Sequence, residues 1–238
     1  MSNHLPRRTK LLYGVGDTGF SLTSTIIGAY FLIFLTDVVG IAPGIAAIAI
    51  FVGRSWDYIN DPVFGHLSDR TRTRWGRRRP YLLLGALPYA LGFTLLWWRP
   101  PWESTFALAA YYAVAYIFYE AAATMIYMPY FALTPELTPD YDERTSLTTY
   151  RMFFSILGSL LAFTIPLTIV GSFSPGSAPQ VLTMGIIFAI ASALPLLLVF
   201  FGTRERKVYM EQEQPTLRQS LRAALKNRPF VLGLVIFL

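Results

Sequence analysis

The 238-residue chain contains no cysteine and only two histidines, His4 and His66. Disulfide frameworks and cysteine chemistry are excluded, and a histidine-rich metal site is out of reach. Charge is also scarce: 14% of residues are Asp, Glu, Lys or Arg, against roughly 25% in a globular domain. That deficit falls in long apolar blocks, the composition of a polytopic helical membrane protein. The net charge of +6 raises nucleic acid as a partner, but Lys and Arg cluster beside the apolar blocks. Membrane topology explains them better, so no nucleic-acid role is expected.

Six segments reach the ~20 residues needed to cross a bilayer: approximately 11–36, 42–64, 81–98, 106–133, 152–170 and 181–202. A seventh apolar run, 229–238, is too short to span. The first 10 residues are polar and basic without a cleavage site after a short apolar core, so the first segment reads as a retained span. Basic residues gather on alternate connections: Arg7, Arg8 and Lys10; then Arg70, Arg72, Arg74, Arg77, Arg78 and Arg79; then Arg144; then a basic tail from Arg204. By the positive-inside rule these connections and the N-terminus are cytoplasmic, in a plasma (inner) membrane. The charged stretch 203–228 reads as a cytoplasmic connector, with an amphipathic part near 217–225 lying on the membrane surface. Pro62, Pro88, Pro129, Pro166 and Pro195 fall in or near spans and are expected to shape the bundle.

Inside the second span stand Asp57 and Asp61, four residues apart and on one helix face, with Arg54 three residues before. Ionisable groups persist in hydrocarbon mainly where they face protein or a wet cavity. Two stacked carboxylates repel each other when ionised, which favours capture of a cation. They read as an ion or proton site; the alternative is a salt bridge with Arg54 that only holds helices together.

Several motifs now stand in order along the chain. They are Tyr13-Gly14-Val15-Gly16-Asp17, Thr36-Asp37-Val38-Val39-Gly40, Trp56-Asp57-Tyr58-Ile59-Asn60-Asp61-Pro62, Gly65-His66-Leu67-Ser68-Asp69-Arg70 with Gly76-Arg77-Arg78-Arg79-Pro80, Pro129-Tyr130-Phe131-Ala132-Leu133-Thr134-Pro135-Glu136-Leu137, and Asp142-Glu143-Arg144-Thr145. This set resembles the glycoside–pentoside–hexuronide:cation symporters of the major facilitator superfamily, the family of melibiose permease. The resemblance implies an all-α fold of twelve spans in two six-helix bundles, with the site between them. Residues 1–202 would be the N-terminal bundle, 203–228 the connector and 229–238 the start of a seventh span, so a second bundle is the expected partner.

The resemblance carries Asp57, Asp61, Asn60 and Thr124 onto the family's cation-site positions, the two aspartates being the ligands if the ion is Na+. Glu120, one turn before Thr124, does not match an acid in melibiose permease; a third carboxylate would tilt the site toward protons. For the sugar, the family's two acids fall at Ser21 and Tyr127, its tryptophan at Phe131 and its lysine at Phe20, whereas its arginine is kept as Arg151. Those departures argue against a melibiose-like galactoside. Asp17, one turn before Ser21, supplies either a carboxylate to the cavity or a polar group near the helix end. The loop Gly65-x-x-x-Asp69-Arg70 with Gly76, Arg77 and Arg78 resembles the superfamily's gating loop. Gly65 would permit close helix approach, and Asp69 would pair with arginines in one conformation and release them in another. The segment 135–144 offers acidic partners on the same side.

These features predict a symporter of a sugar or glycoside driven by Na+ or H+, with no further cofactor. The alternatives are a sodium-coupled lysolipid carrier and a non-transporting membrane sensor or assembly half. A hydrolase is disfavoured because no histidine or cysteine stands near the acids.

Overall fold

The computed structural model describes residues 4–205, apart from the side chains of Tyr58 and Ile59. The expected connector and seventh span therefore lie almost wholly outside the described residues. Within them the chain is helical, with a single isolated bridge between Thr73 and Gly76.

The helices form six rods at the six expected places. The first rod joins α1 (Arg7–Gly14), α2 (Gly16–Ile26) and the π-helical turns Ile27–Phe31 and Phe34–Val39, and stops at Gly40 with a φ of 89°. Only glycine adopts that left-handed conformation without strain. The second rod is α3 (Pro43–Ser55) followed by α4 (Asp57–Arg70). Their junction, Trp56, keeps helical dihedrals, but its N–H turns to the Gly53 carbonyl three residues back. Then come α5 (Arg79–Leu96), α6 (Thr105–Leu137), α7 (Tyr141–Val170), a 3₁₀ turn (Pro175–Ser177) and α8 (Ala178–Gly202). Taken singly, three helical segments among the described residues are long and apolar enough to cross a membrane: α6, α7 and Pro175–Gly202. The first two rods reach their length only by joining shorter helices, and α5 has 18 residues.

The helix ends depart from the expected spans. α6 runs through Pro135 to Leu137 rather than stopping at Leu133, and α7 begins at Tyr141 rather than 152. The segment 135–144 is therefore mostly helix, with only 138–140 between the two helices. Hydropathy marks where the apolar face ends, whereas the helix ends where its free N–H groups find a cap. Here Asp140 accepts the Glu143 N–H at 2.9 Å and starts α7. The prolines at 62, 88, 129, 166 and 195 all sit inside helices that continue through them.

The closest rod contacts run fifth to first, first to sixth, sixth to third, third to fourth and fourth to second. The bundle is thus a curved row whose ends, α7 on one side and α3–α4 on the other, flank an open side. Small residues set the crossings. A Cβ on Gly19 would strike the Ser192 carbonyl of α8, and one on Gly158 would strike Ser21 and Thr18 of α2. Phe31, Phe34, Trp97 and Tyr112 fill the core, their ring centroids 5.4–6.4 Å apart. Met152, Phe153, Ile156, Leu160 and Phe163 form an α7 stripe that is 60–62% or 63% exposed at each position. Such a stripe suits lipid or another helix surface.

Gly19→Ala is expected to lower stability by about 1–3 kcal/mol, because the obstacle is backbone that cannot rotate away. Gly28→Ala, where a Cβ meets nothing within 4 Å, is expected to leave stability unchanged or raise it slightly. Thermal unfolding of the two variants in detergent checks the contrast.

Candidate functional site

Helical spacing aims three stripes into one cavity of about 480 Å³: Asp17, Phe20, Ser21 and Ser24 from α2; Asp57 and Asp61 from α4; and Tyr116, Glu120, Thr124, Tyr127 and Phe131 from α6. Arg54 at the end of α3, Tyr89 of α5 and two serines of α7 also line it. The cavity thus lies toward the open side of the row and holds four carboxylates.

At one end Thr124 donates its hydroxyl to Asp57 Oδ1 at 3.3 Å, joining α6 to α4. Asp61 lies one turn further along α4, and Glu120 one turn before Thr124. Arg54 shares this space but makes no ion pair within 4.0 Å among the described residues. A helix-pinning salt bridge between Arg54 and the aspartates is therefore absent in this conformation. Nor do three acids close on one point: among the described residues no group of three or more Asp, Glu or His is arranged to hold a metal. The acids ring a space rather than forming a finished cage. Asn60 departs from the expected ligand set. It is buried outside the cavity wall, and its Nδ2 has no partner. Three residues past Asp57 it sits about 60° round the helix, which turns it into the packing.

At the other end, Arg151 grips Asp17 through Nε and Nη2 at 3.1 and 3.3 Å. Its guanidinium lies 3.9 Å from the centre of the Phe131 ring and 5.1 Å from that of Tyr130. Arg151 is buried behind the cavity wall, while Asp17 and Phe131 stand in it. The expected substrate arginine thus reaches the cavity through Asp17 in this conformation. Tyr127 meets Phe131 and Phe20 at centroid distances of 4.0 and 5.3 Å, giving an aromatic wall. Ser21 donates to the Thr18 carbonyl at 3.1 Å and packs at Gly158, so its hydroxyl is largely committed to helix packing. Below lies a clasp that hydropathy does not signal. The Tyr13 hydroxyl donates to the Tyr130 carbonyl at 2.9 Å, and the Tyr130 hydroxyl to the Tyr13 carbonyl at 2.8 Å.

The arginine-rich end is knitted by ion pairs. Asp69 pairs with Arg78, whose Nη1 also donates to Ser68 at 2.8 Å. Glu136 accepts Arg77 Nη2 at 2.6 Å and Arg78 Nε at 3.1 Å, all three being buried. Glu205 accepts the backbone N–H groups of Arg77, Arg78 and Arg79 at 2.7, 2.8 and 2.9 Å, so it caps α5. Gly76, with a φ of 112°, leaves room for that carboxylate. Glu205 was hidden in the sequence as one acid within a basic tail. Two expected gate residues differ. Gly65 has nothing within 4 Å of where a Cβ would lie, so no close approach needs it, and Arg70 is exposed without an ion pair among the described residues. On the same side Glu143 ties down the N-terminal segment by accepting from the Leu5 N–H at 2.9 Å and Lys10 at 3.0 Å.

Residues 12–238 match the family described as MFS/sugar transport protein. The chain belongs to that family. Its members are transporters of the major facilitator superfamily, not enzymes. The chain is 31% identical to the isoprimeverose transporter of Lactiplantibacillus pentosus, over 99% of this chain and 50% of the relative. It is 30% identical to the sodium-dependent lysophosphatidylcholine symporter 1-A of Danio rerio, over 97% of this chain and 49% of the relative. The xylose transporter XylE of E. coli, solved in an inward-open conformation, superposes with a TM-score of 0.62 over 94% of this chain and 53% of its own, at 19% identity. That likeness supports the fold: the six-helix N-terminal bundle of a multi-pass membrane transporter. The chain spans about half the length of the relatives it matches.

Removing Glu136 strands the buried Arg77 and leaves Arg78 with Asp69 alone. Glu136→Ala is expected to destabilise the bundle by about 3–5 kcal/mol. Glu205→Gln keeps an acceptor but loses the charge, and is expected to cost about 1–2 kcal/mol. Unfolding in detergent ranks the two, and a smaller loss for Glu136→Ala would show that the buried pair does not hold this end.

Proposed function

We propose that the chain is the N-terminal bundle of a secondary symporter that couples a sugar or glycoside to Na+ or H+. The reading rests on one observation above the rest: Asp57 and Asp61, one turn apart, line a cavity with the Thr124 hydroxyl on Asp57 and, among the described residues, make no ion pair within 4.0 Å. Hard oxygens with spare negative charge attract a small cation. The aromatic wall of Phe20, Tyr127 and Phe131 beside Asp17 suits a sugar, with its apolar face on the rings and its hydroxyls on the carboxylate. A second six-helix bundle would cover the open side, and alternating access would rock one bundle against the other. The arginine-rich side faces the cytoplasm of a plasma membrane in this reading, as the positive-inside rule requires. A lysolipid substrate is the second reading, supported by the name of the Danio rerio relative and by the open side of the row.

The test uses the full-length transporter in proteoliposomes with an imposed Na+ or H+ gradient. Asp57→Asn and Asp61→Asn are expected to lower uphill uptake of labelled isoprimeverose by about tenfold or more, while downhill exchange survives. Wild-type accumulation in both variants would remove them from coupling. Uptake of labelled lysophosphatidylcholine without sugar uptake would select the second reading.

Glu120 bears on the choice of ion. If it works with the aspartates, Glu120→Gln will change the pH dependence of uptake or its sodium requirement. An unchanged pH profile and sodium requirement would place Glu120 outside the coupling site.

A further inference from the structure

A second hollow, of about 430 Å³, lies at the arginine-rich end where the N-terminus of α1 meets the end of α8. It shares no residue with the cavity above. Arg8 and Arg204 both line it and both are exposed. Neither makes an ion pair within 4.0 Å among the described residues. The neighbouring acids are already engaged: Glu143 holds Leu5 and Lys10, and Glu205 holds three backbone N–H groups of α5. Among the described residues the hollow therefore carries two guanidinium groups, neither in an ion pair, with the Glu205 carboxylate beside Arg204 turned to the start of α5. The start of α1, which lines the hollow, adds a further anion-seeking feature. Pro6 occupies the N-cap of α1 and offers no side-chain acceptor, so the Arg7 and Arg8 N–H groups are uncapped among the described residues, while that of Thr9 turns to the Pro6 carbonyl at 2.9 Å. Apart from Thr9 the remaining wall is apolar, with Leu12, Leu137 and Phe201, the last 74% exposed.

We propose that this hollow binds an anionic phospholipid, its phosphate held between Arg8 and Arg204 and an acyl chain laid over Leu12 and Phe201. A guanidinium pair recognises phosphate through several N–H donors at once. A free phosphate would satisfy the arginines but leave Phe201 bare, whereas a phospholipid covers both chemistries. The hollow lies at the ends of two rods, α1 and α8, and in this proposal that end of the bundle sits where headgroups meet chains. The bundle therefore carries a lipid seat on its outer wall, separate from the proposed transport cavity.

Native mass spectrometry of the purified chain, with phosphatidylglycerol or phosphatidylcholine of matched chains, reads the occupancy. Phosphatidylglycerol is expected to be retained over phosphatidylcholine. The double variant Arg8→Gln with Arg204→Gln is expected to lose that retention by about tenfold. Arg72→Gln with Arg74→Gln removes the same charge from an exposed loop on the same side and is expected to change nothing. Equal loss in both double variants would show a diffuse surface attraction and overturn the site. Displacement by millimolar glycerol 3-phosphate would show a free-anion site and overturn the lipid. A wild-type chain that retains neither lipid, as when its own segment after Glu205 fills the hollow, would also overturn it. A second measurement does not depend on the arginine variants folding. Phe201→Trp should be quenched more by brominated phosphatidylglycerol than by brominated phosphatidylcholine, beyond the quenching of the parent chain, and equal quenching would refute the seat.

Discussion

A charge inside a helical bundle must find a counter-charge or a wet space, since an uncompensated buried ion costs several kcal/mol. This bundle meets that constraint in two ways at two levels. At the arginine-rich end Glu136, Arg77, Arg78 and Asp69 neutralise one another in a closed knot. Further in, Asp57, Asp61, Glu120 and Arg54 stay apart and share an open cavity. The first arrangement holds helices together. The second leaves negative charge unspent, which is the physical basis for proposing that a cation enters there.

Between the two levels lies a layer with features of both. Asp17 and Arg151 are paired, yet Asp17 also faces the cavity, and Arg151 rests on Phe131. Beneath it, the reciprocal hydrogen bonds of Tyr13 and Tyr130 lock the first rod to the fourth. Each tyrosine hydroxyl satisfies a carbonyl of the opposite helix, so the floor is sealed without adding charge. A polar ligand above this floor would compete with Arg151 for the Asp17 carboxylate.

The six rods were legible because each apolar run is long, and the arginine clusters because they alternate between connections. The Asp57 and Asp61 pair was legible because helical period alone puts both on one face. Helix ends were not: hydropathy ended the fourth span at Leu133, while hydrogen bonding carried the helix to Leu137. Rotational placement was only partly legible. Asn60 belongs to the same motif as the two aspartates, yet it is turned into the packing. Partners distant in the chain were the least legible. Nothing near Arg151 signals Asp17, 134 residues away, and nothing near Gly76 signals Glu205.

The Glu205 cap also has a mechanical side. α8 ends at Gly202, and three residues later the chain is fastened to the first turn of α5. The third and sixth rods therefore cannot part at this end without uncapping a helix. Arg79 adds a second stitch by donating to the Phe200 carbonyl, near the end of α8. A force applied to the chain at Glu205 would be delivered to the arginine loop. Glu205 thus fastens the described chain, where it leaves the bundle, to the arginine-rich loop.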